Sequence, residues 1–178
     1  MCIAESAGSG PPLVFVHGSG GSARQWKRLF RHFASTRRVF AYDLPGHSTS
    51  LPVAAVATGF AFADDARILC AAIERLGEPA DVVAHSAGAV GVLLAARDHP
   101  QVLRTLTLFE PVLFQLLRDA ADPAFGPVAA YARAFRRLYE QEGAAPAMEL
   151  FVDLWNGPES WGKMPSRSAP PCLPGPGT

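Results

Sequence analysis

Ser86 lies in the stretch VVAHSAGAV, residues 82–90, between a run of strand-forming residues and a helix that begins with small residues. A serine at such a sharp strand-to-helix turn presents its hydroxyl as a nucleophile, and the strained turn requires small neighbours. Ala87 and Gly88 meet that requirement. The alternative is a structural serine that only caps the helix, because serine is among the favoured residues at helix N-termini.

Two polar loops favour the chemical interpretation of Ser86. The first, HGSGGS at 17–22, follows the apolar run PLVFV at 12–16 and offers backbone N–H groups with few side chains around them. Such N–H groups stabilise the oxyanion of an acyl-transfer reaction. The second loop, DLPGHS at 43–48, follows another predicted strand. A phosphate-binding loop is the alternative for HGSGGS, but its spacing matches neither of the glycine-rich nucleotide-binding motifs.

Apolar runs and helical stripes alternate along the first 111 residues, and together they predict the elements that position Ser86. Ser22 and Gln25 also have the spacing of a capping box. The predicted strands cover 12–16, 38–43, 81–85 and 102–111, and the predicted helices cover 22–33, 60–76 and 87–98. This alternation predicts an α/β fold with a mostly parallel sheet and helices on both faces.

The pattern changes after Pro111, and three segments are predicted. Residues 1–111 form the α/β core, and residues 112–157 contain only helical patterns, which is typical of a helical cap or lid. These patterns lie around 112–121, 128–140 and 147–155. Residues 158–178 form a Pro/Gly-rich tail in which seven of the last fourteen residues are Pro or Gly, so we expect disorder there.

Composition and charge exclude several classes of function. The 178 residues include 16 basic and 16 acidic side chains, and no basic stripe indicates binding to nucleic acid or an anionic membrane. No apolar run reaches the roughly 20 residues that span a bilayer. Three scattered cysteines and an N-terminus without a signal-peptide pattern predict reduced thiols and a cytoplasmic location. We therefore expect a small-molecule substrate and no nucleic-acid or membrane partner.

Three motifs, in this order and at these intervals, resemble the α/β-hydrolase superfamily: VFVHGSGGSARQW, YDLPGHS and VVAHSAGAV. The resemblance extends over residues 11–164. It implies that Ser86 is the nucleophile of a nucleophile elbow, and it implies neither a metal nor an organic cofactor. It also implies an oxyanion hole formed by the N–H group of Ala87 and that of Ser19 or Gly20.

The remaining motif residues have structural roles by the same resemblance. They shape the loop after the first strand and the turn at the serine, and they are His17, Gly18, His85 and Gly88. We expect the ring of His85 to point away from the reaction face of the serine. His47 is interpreted as a turn residue, and neither His17 nor His47 is predicted to be the base.

A catalytic base is missing from the predicted set. In this superfamily the triad follows the chain order Ser, then Asp or Glu, then His, but no histidine follows His99. Glu110, at the tip of the fourth predicted strand, is a candidate acid. We therefore expect a truncated chain with an unrelated tail from about Pro165, low activity, and self-association through an unpaired sheet edge.

The leading hypothesis is a serine-type hydrolase that acts on an ester or related acyl substrate. Two alternatives stay open at this stage. One is a catalytically incompetent fragment or small-molecule-binding module that lacks the base. The other is a cofactor-free C–C hydrolase or perhydrolase, because the motifs do not define which bond is cleaved.

Overall fold

The structure, a computed structural model, describes residues 3–48 and 61–164. The chain divides after Val112 into two compact units, which we describe separately. None of the helices in the described ranges is both long enough and apolar enough to cross a membrane.

A sheet of five strands forms the centre of the first unit. The strands are β1 (Ile3–Ala7), β2 (Pro12–Val16), β3 (Arg38–Tyr42), β4 (Ala80–His85) and β5 (Leu103–Phe109). Their order is β1-β3-β2-β4-β5; β1 runs antiparallel to β3, and the other neighbours are parallel. The mostly parallel sheet confirms the predicted fold class. The strand β1 was not predicted, because its residues IAESA form no continuous apolar run.

The pleat of β2 divides the core between the two faces of the sheet. Leu13 and Phe15 pack on one face with Trp26 and Phe30, and the rings of Phe15 and Trp26 stack with centroids 5.2 Å apart. On the other face, Val14 and Val16 belong to a larger cluster with α2 (Phe62–Glu74) and α3 (Ala87–Asp98). Helices therefore cover both faces, as the alternation of patterns predicts.

The predicted capping box at Ser22 and Gln25 does not form. Ser22 makes no side-chain capping hydrogen bond, and a 3-10 turn at Ala23–Trp26 precedes the helix α1 (Lys27–Phe33). The Gln25 side chain reaches back to the preceding loop instead, where its Oε1 accepts a hydrogen bond from the N–H of Gly18 at 3.3 Å. A capping pattern in the sequence thus serves to hold a loop at the edge of the sheet.

The second unit contains helices throughout its described part. They are α4 (Phe114–Asp119), α5 (Phe125–Glu142) and α6 (Ala144–Asn156). Both α5 and α6 begin earlier than predicted because Pro127 and Pro146 lie in their first turns, where a helix needs no backbone N–H donor. The role of this unit as a cap stays a prediction.

Residues 158–164, which we expected to belong to the unstructured tail, differ from that expectation. They include a 3-10 turn at Trp161–Lys163. The Asp153 carboxylate holds this segment to α6, because it accepts hydrogen bonds from the N–H groups of Glu159 at 3.2 Å and Trp161 at 2.8 Å. The rest of the predicted tail, 165–178, lies outside the described residues.

Asp65 on α2 is a half-buried carboxyl group whose stability contribution depends on pH. Its Oδ1 is buried and has no hydrogen-bond donor among the described residues, and burial, with a smaller effect of Asp64, raises its pKa to about 7. The folded state thus favours the neutral carboxyl. The raised pKa therefore contributes fully to the stability of the folded state below pH 3.8, the ordinary pKa of an aspartate. This contribution is lost as the pH rises to about 7.

We expect Asp65→Asn to increase stability by about 1–2 kcal/mol at pH 8, because an unsatisfied buried acceptor costs roughly that much when it is charged. Urea unfolding at pH 8 and at pH 4 measures the effect, and the gain should vanish at the lower pH. Glu74→Gln, an exposed change at the other end of α2, is the matched control. An equal gain at both pH values would contradict this account of Asp65.

The strand β5 lies at one edge of the sheet. The self-association expected from the sequence remains a prediction, and we expect it to involve the unpaired edge of β5. Phe109 is 47% exposed and Thr107 is also exposed, whereas strands of parallel sheets are normally covered on both faces. We expect Thr107→Lys to weaken any association, since a lysine on an edge strand opposes pairing. Sedimentation velocity over a wide concentration range tests this, with the exposed-loop change Thr36→Lys as control. If the wild-type chain stayed monomeric over the whole concentration range, the prediction of self-association would be wrong.

Candidate active site

Ser86 occupies the sharp junction between β4 and α3. Its backbone has φ 52° and ψ −125°, in the left-handed region that non-glycine residues rarely adopt, and such strain clusters at functional sites. Its N–H donates a 2.9 Å hydrogen bond to the carbonyl oxygen of Phe109 at the end of β5. Ser86 occupies the N-cap position of α3, but its side chain makes no capping hydrogen bond to the helix.

Gly88 and Gly91 allow α3 to approach the sheet and α2. A Cβ atom on Gly88 would overlap the carbonyl oxygen of His17 and lie 2.9 Å from Cγ1 of Val16. A Cβ atom on Gly91 would lie 2.9 Å from Cβ of Asp65. Small residues at the start of α3 are therefore a requirement of close packing, as the sequence pattern predicts.

His17 is a fully buried residue that joins two loops at the edge of the sheet. Its Nε2 accepts a 2.9 Å hydrogen bond from the N–H of Leu44, so the proton is on Nδ1, which lies 2.7 Å from the carbonyl oxygen of Gly18 and donates to it. Burial is the main cause that lowers the His17 pKa to about 4. The ring is thus neutral near pH 7, with both nitrogens engaged.

Asp43 reinforces the same connection between loops. Its buried carboxylate accepts a 2.8 Å hydrogen bond from the N–H of Ala23 and lies 3.9 Å from Nε2 of His17. Asp43 was not predicted as a site residue; the strand ends at Tyr42, and Asp43 directly follows it.

The predicted oxyanion donors differ in their hydrogen bonding. The N–H of Gly20 donates to Nε2 of His47 at 3.3 Å, and Nδ1 of His47 lies 3.1 Å from the carbonyl oxygen of Pro45. In residues 3–48 and 61–164, the N–H groups of Ser19 and Ala87 have no acceptor. Of the two loop donors left open by the sequence, Ser19 is therefore the one whose N–H is available.

His85 and Glu110 meet at the ends of β4 and β5. Nε2 of His85 lies 3.6 Å from Oε2 of Glu110, which is 87% exposed. A Cβ atom on Gly18 would lie 2.7 Å from Nδ1 of His85 and 3.0 Å from Cβ of Ser86. Gly18 therefore packs closely against both residues, and the orientation of the His85 ring away from the reaction face of the serine stays a prediction.

The described residues contain no group of three or more His, Cys, Asp or Glu side chains placed to hold a metal ion. The chemistry of this edge is instead that of a hydroxyl on a strained turn, backbone N–H donors and one histidine–carboxylate pair. These are components of acyl transfer through a serine.

Two curated proteins are similar to this chain in sequence. An uncharacterized hydrolase of Bacillus subtilis, YraK, is 40% identical over 113 residues, which is 62% of this chain and 41% of YraK. The dihydrolipoyllysine-residue acetyltransferase component of the acetoin cleaving system of Cupriavidus necator is 34% identical over 152 residues, 84% of this chain and 37% of that protein. The chain thus spans about two fifths of the length of these curated relatives.

Structure and family comparison agree. The crystal structure of an alpha/beta hydrolase fold protein from Burkholderia ambifaria superposes with a TM-score of 0.62 and 25% identity, over 86% of this chain and 53% of that one. The sequence model of the alpha/beta hydrolase family matches residues 13–175. This chain belongs to the alpha/beta hydrolase family.

Proposed function

We propose that this chain is a serine-type hydrolase acting on an ester or related acyl substrate, with Ser86 as its nucleophile. The observation that carries the proposal is the strained backbone of Ser86, whose hydroxyl caps no helix, at the start of α3. Strained backbone of this kind clusters at functional sites. The hydrolase name of YraK, a relative at 40% identity, supports the same class of reaction.

The proposed reaction is a nucleophilic acyl substitution. Ser86 Oγ attacks the acyl carbon, and negative charge develops on the carbonyl oxygen of the substrate. The N–H groups of Ala87 and Ser19, which have no acceptor among the described residues, stabilise that charge, and the N-terminal end of α3 adds its positive dipole. Collapse of the intermediate releases the alcohol, and water then hydrolyses the acyl-enzyme.

The surrounding contacts have a positioning role in this proposal. Gln25 holds the N–H of Gly18, and His17 ties the same loop to Leu44. His47 engages Gly20 and so leaves Ser19 as the loop donor. Preorganised donors of this kind stabilise a transition state without reorganisation during the reaction.

Reaction with a biotinylated fluorophosphonate tests the proposal directly. We expect covalent modification at Ser86, located by mass spectrometry of proteolytic peptides, because an activated serine attacks this phosphorus centre. Ser86→Ala should remain unmodified, whereas Ser35→Ala, an exposed change after α1, should react like the wild type. Absence of modification at Ser86 in folded protein would favour the alternative of a binding module without a nucleophile.

A cytoplasmic location is part of the proposal. Cys70 supports it, because it is a free thiol packed in the core beside α3 and not part of a disulfide. Subcellular fractionation of the native host tests this location, and recovery outside the cytoplasm would refute it.

A further inference from the structure

Two histidines join the loops that follow β2 and β3, and each of them accepts a hydrogen bond from the other loop. His17, directly after β2, accepts through Nε2 from the N–H of Leu44 at 2.9 Å. His47, in the loop after β3, accepts through Nε2 from the N–H of Gly20 at 3.3 Å. The two rings lie in a T-shaped arrangement with centroids 5.1 Å apart. Both contacts therefore depend on an imidazole nitrogen that carries no proton.

The surroundings of His47 determine which of its nitrogens accepts. Nδ1 lies 3.1 Å from the carbonyl oxygen of Pro45, which is only an acceptor, so the proton of the neutral ring is on Nδ1. Nε2 is then the acceptor for the N–H of Gly20. The backbone of the same turn is also fixed, since the N–H of His47 donates to the carbonyl oxygen of Leu44 at 2.9 Å. A neutral ring thus satisfies both contacts, whereas a protonated ring carries a donor on Nε2 and accepts from neither side.

The two histidines differ in exposure, and therefore in their response to acid. His17 is fully buried, and burial is the main cause that lowers its pKa to about 4, so its hydrogen bonds persist in mildly acidic solution. His47 is only half-buried, and its hydrogen bond with Gly20 is exposed to solvent. Among the described residues, the other titratable groups around this pair of rings are Asp43 and His85, which interact electrostatically with His17. Protons thus reach the contact made by His47 more readily than those made by His17.

The two histidines fix the part of the loop that carries the N–H of Ser19, the proposed oxyanion donor. That N–H shares its peptide unit with the carbonyl group of Gly18, which accepts a 2.7 Å hydrogen bond from Nδ1 of His17. The N–H and C=O of a trans peptide point in opposite directions, so this contact orients the Ser19 N–H. The N–H of Gly20 belongs to the next peptide unit, and His47 holds it. Consecutive peptide units of the loop are therefore fixed, one by each histidine.

We propose that His47 is a positioning residue of the oxyanion hole, and that it holds the loop of Ser19 only while its ring is neutral. The inference rests on the proposed function, because it requires the Ser19 N–H to stabilise the oxyanion. Protonation places a second donor on Nε2 opposite the N–H of Gly20, and two donors repel each other. The loop is then held on one side of Ser19 only. Acid thus weakens transition-state stabilisation independently of the group that takes the proton of Ser86.

Two amide variants separate the acceptor of His47 from its bulk. In His47→Gln the amide oxygen can take the position of Nε2 and accept from Gly20, but it takes up no proton. In His47→Asn the shorter amide corresponds to Nδ1, so it can donate to Pro45 but does not reach Gly20. We expect the limiting rate of Ser86 acylation by p-nitrophenyl acetate at pH 8 to fall about tenfold in the asparagine variant, between the loss of one hydrogen bond and that of an oxyanion donor. Glutamine should recover most of this loss, and His32→Asn, an exposed change on α1, is the matched control.

The substrate dependence and the pH profile give readouts that a merely structural role would not move. The substrate concentration at half-saturation should stay unchanged in His47→Asn, because the bound ester does not yet carry the oxyanion. The ratio of the His47→Gln rate to the wild-type rate should rise several-fold, up to about tenfold, from about pH 8 to about pH 5, since only the wild type loses the Gly20 contact. The contribution of the base that activates Ser86 cancels in this ratio. The amide NMR signal of Gly20 should shift over the same range in the wild type and not in the glutamine variant.

The outcomes distinguish the two proposals. Fluorophosphonate labelling of Ser86 with wild-type acylation in His47→Asn, or with a rate ratio that does not change with pH, would overturn the role of His47 and leave the proposed function intact. Failure of Ser86 to react in the wild type would overturn both. Thermal unfolding shows whether each variant is folded, and the comparison of His47→Gln with the wild type still tests the role of His47 if the asparagine variant is unfolded.

Discussion

Ser86→Ala is expected to eliminate the burst of p-nitrophenolate that the wild-type chain releases from p-nitrophenyl acetate. The burst should approach one equivalent per folded chain, because each Ser86 forms one acyl-enzyme before slow hydrolysis. Removal of the nucleophile costs on the order of 10⁴–10⁶ in rate in serine enzymes, so the variant should be indistinguishable from buffer. Stopped-flow absorbance measures the burst amplitude and rate.

The same experiment includes the controls for this prediction. Ser35→Ala should keep the full burst, since Ser35 is exposed after α1 and its hydroxyl lies 3.5 Å from the carbonyl oxygen of His32. Ser86→Ala should unfold at the wild-type urea concentration, because the hydroxyl of Ser86 caps no helix. A burst that persists in Ser86→Ala would assign the reaction to another nucleophile.

Gly88→Ala is expected to destabilise the first unit by about 3 kcal/mol, the upper part of the usual range for overpacking. The added methyl group would overlap the carbonyl oxygen of His17 and lie 2.9 Å from Val16. That carbonyl group has little freedom to move, because the His17 ring is fixed by Leu44 and Gly18. The strained turn at Ser86 adjoins the same contact, so we also expect the burst to be lost.

Urea unfolding measures this effect, and Gly126→Ala supplies a matched control. Gly126 lies in the first turn of α5, and a Cβ atom there would meet no atom within 4 Å. Alanine should therefore increase helix stability at that position by roughly 0.5–1 kcal/mol. If Gly88→Ala were as stable as the wild type, α3 would lie further from β2 than described here.

The sequence by itself determined most elements of the first unit and the position of Ser86 at a strand-to-helix junction. A continuous apolar run such as PLVFV specifies a strand buried on both faces, and helical stripes such as that of α2 specify amphipathic helices. Ser86 could be assigned to a strand-to-helix junction because both neighbouring patterns are local. These signals depend on residues within a few positions of each other, so they can be identified without knowledge of the tertiary fold.

Only the tertiary structure decided which polar groups meet at the edge of the sheet. Gln25 has a capping pattern but holds Gly18, and His47, interpreted as a turn residue, engages Gly20. His85 and Glu110 are 25 positions apart, and they meet because β4 and β5 pair in parallel with His85 opposite Phe109. Strand order and register set such contacts, and neither follows from local periodicity, because pairing joins segments separated by entire helices.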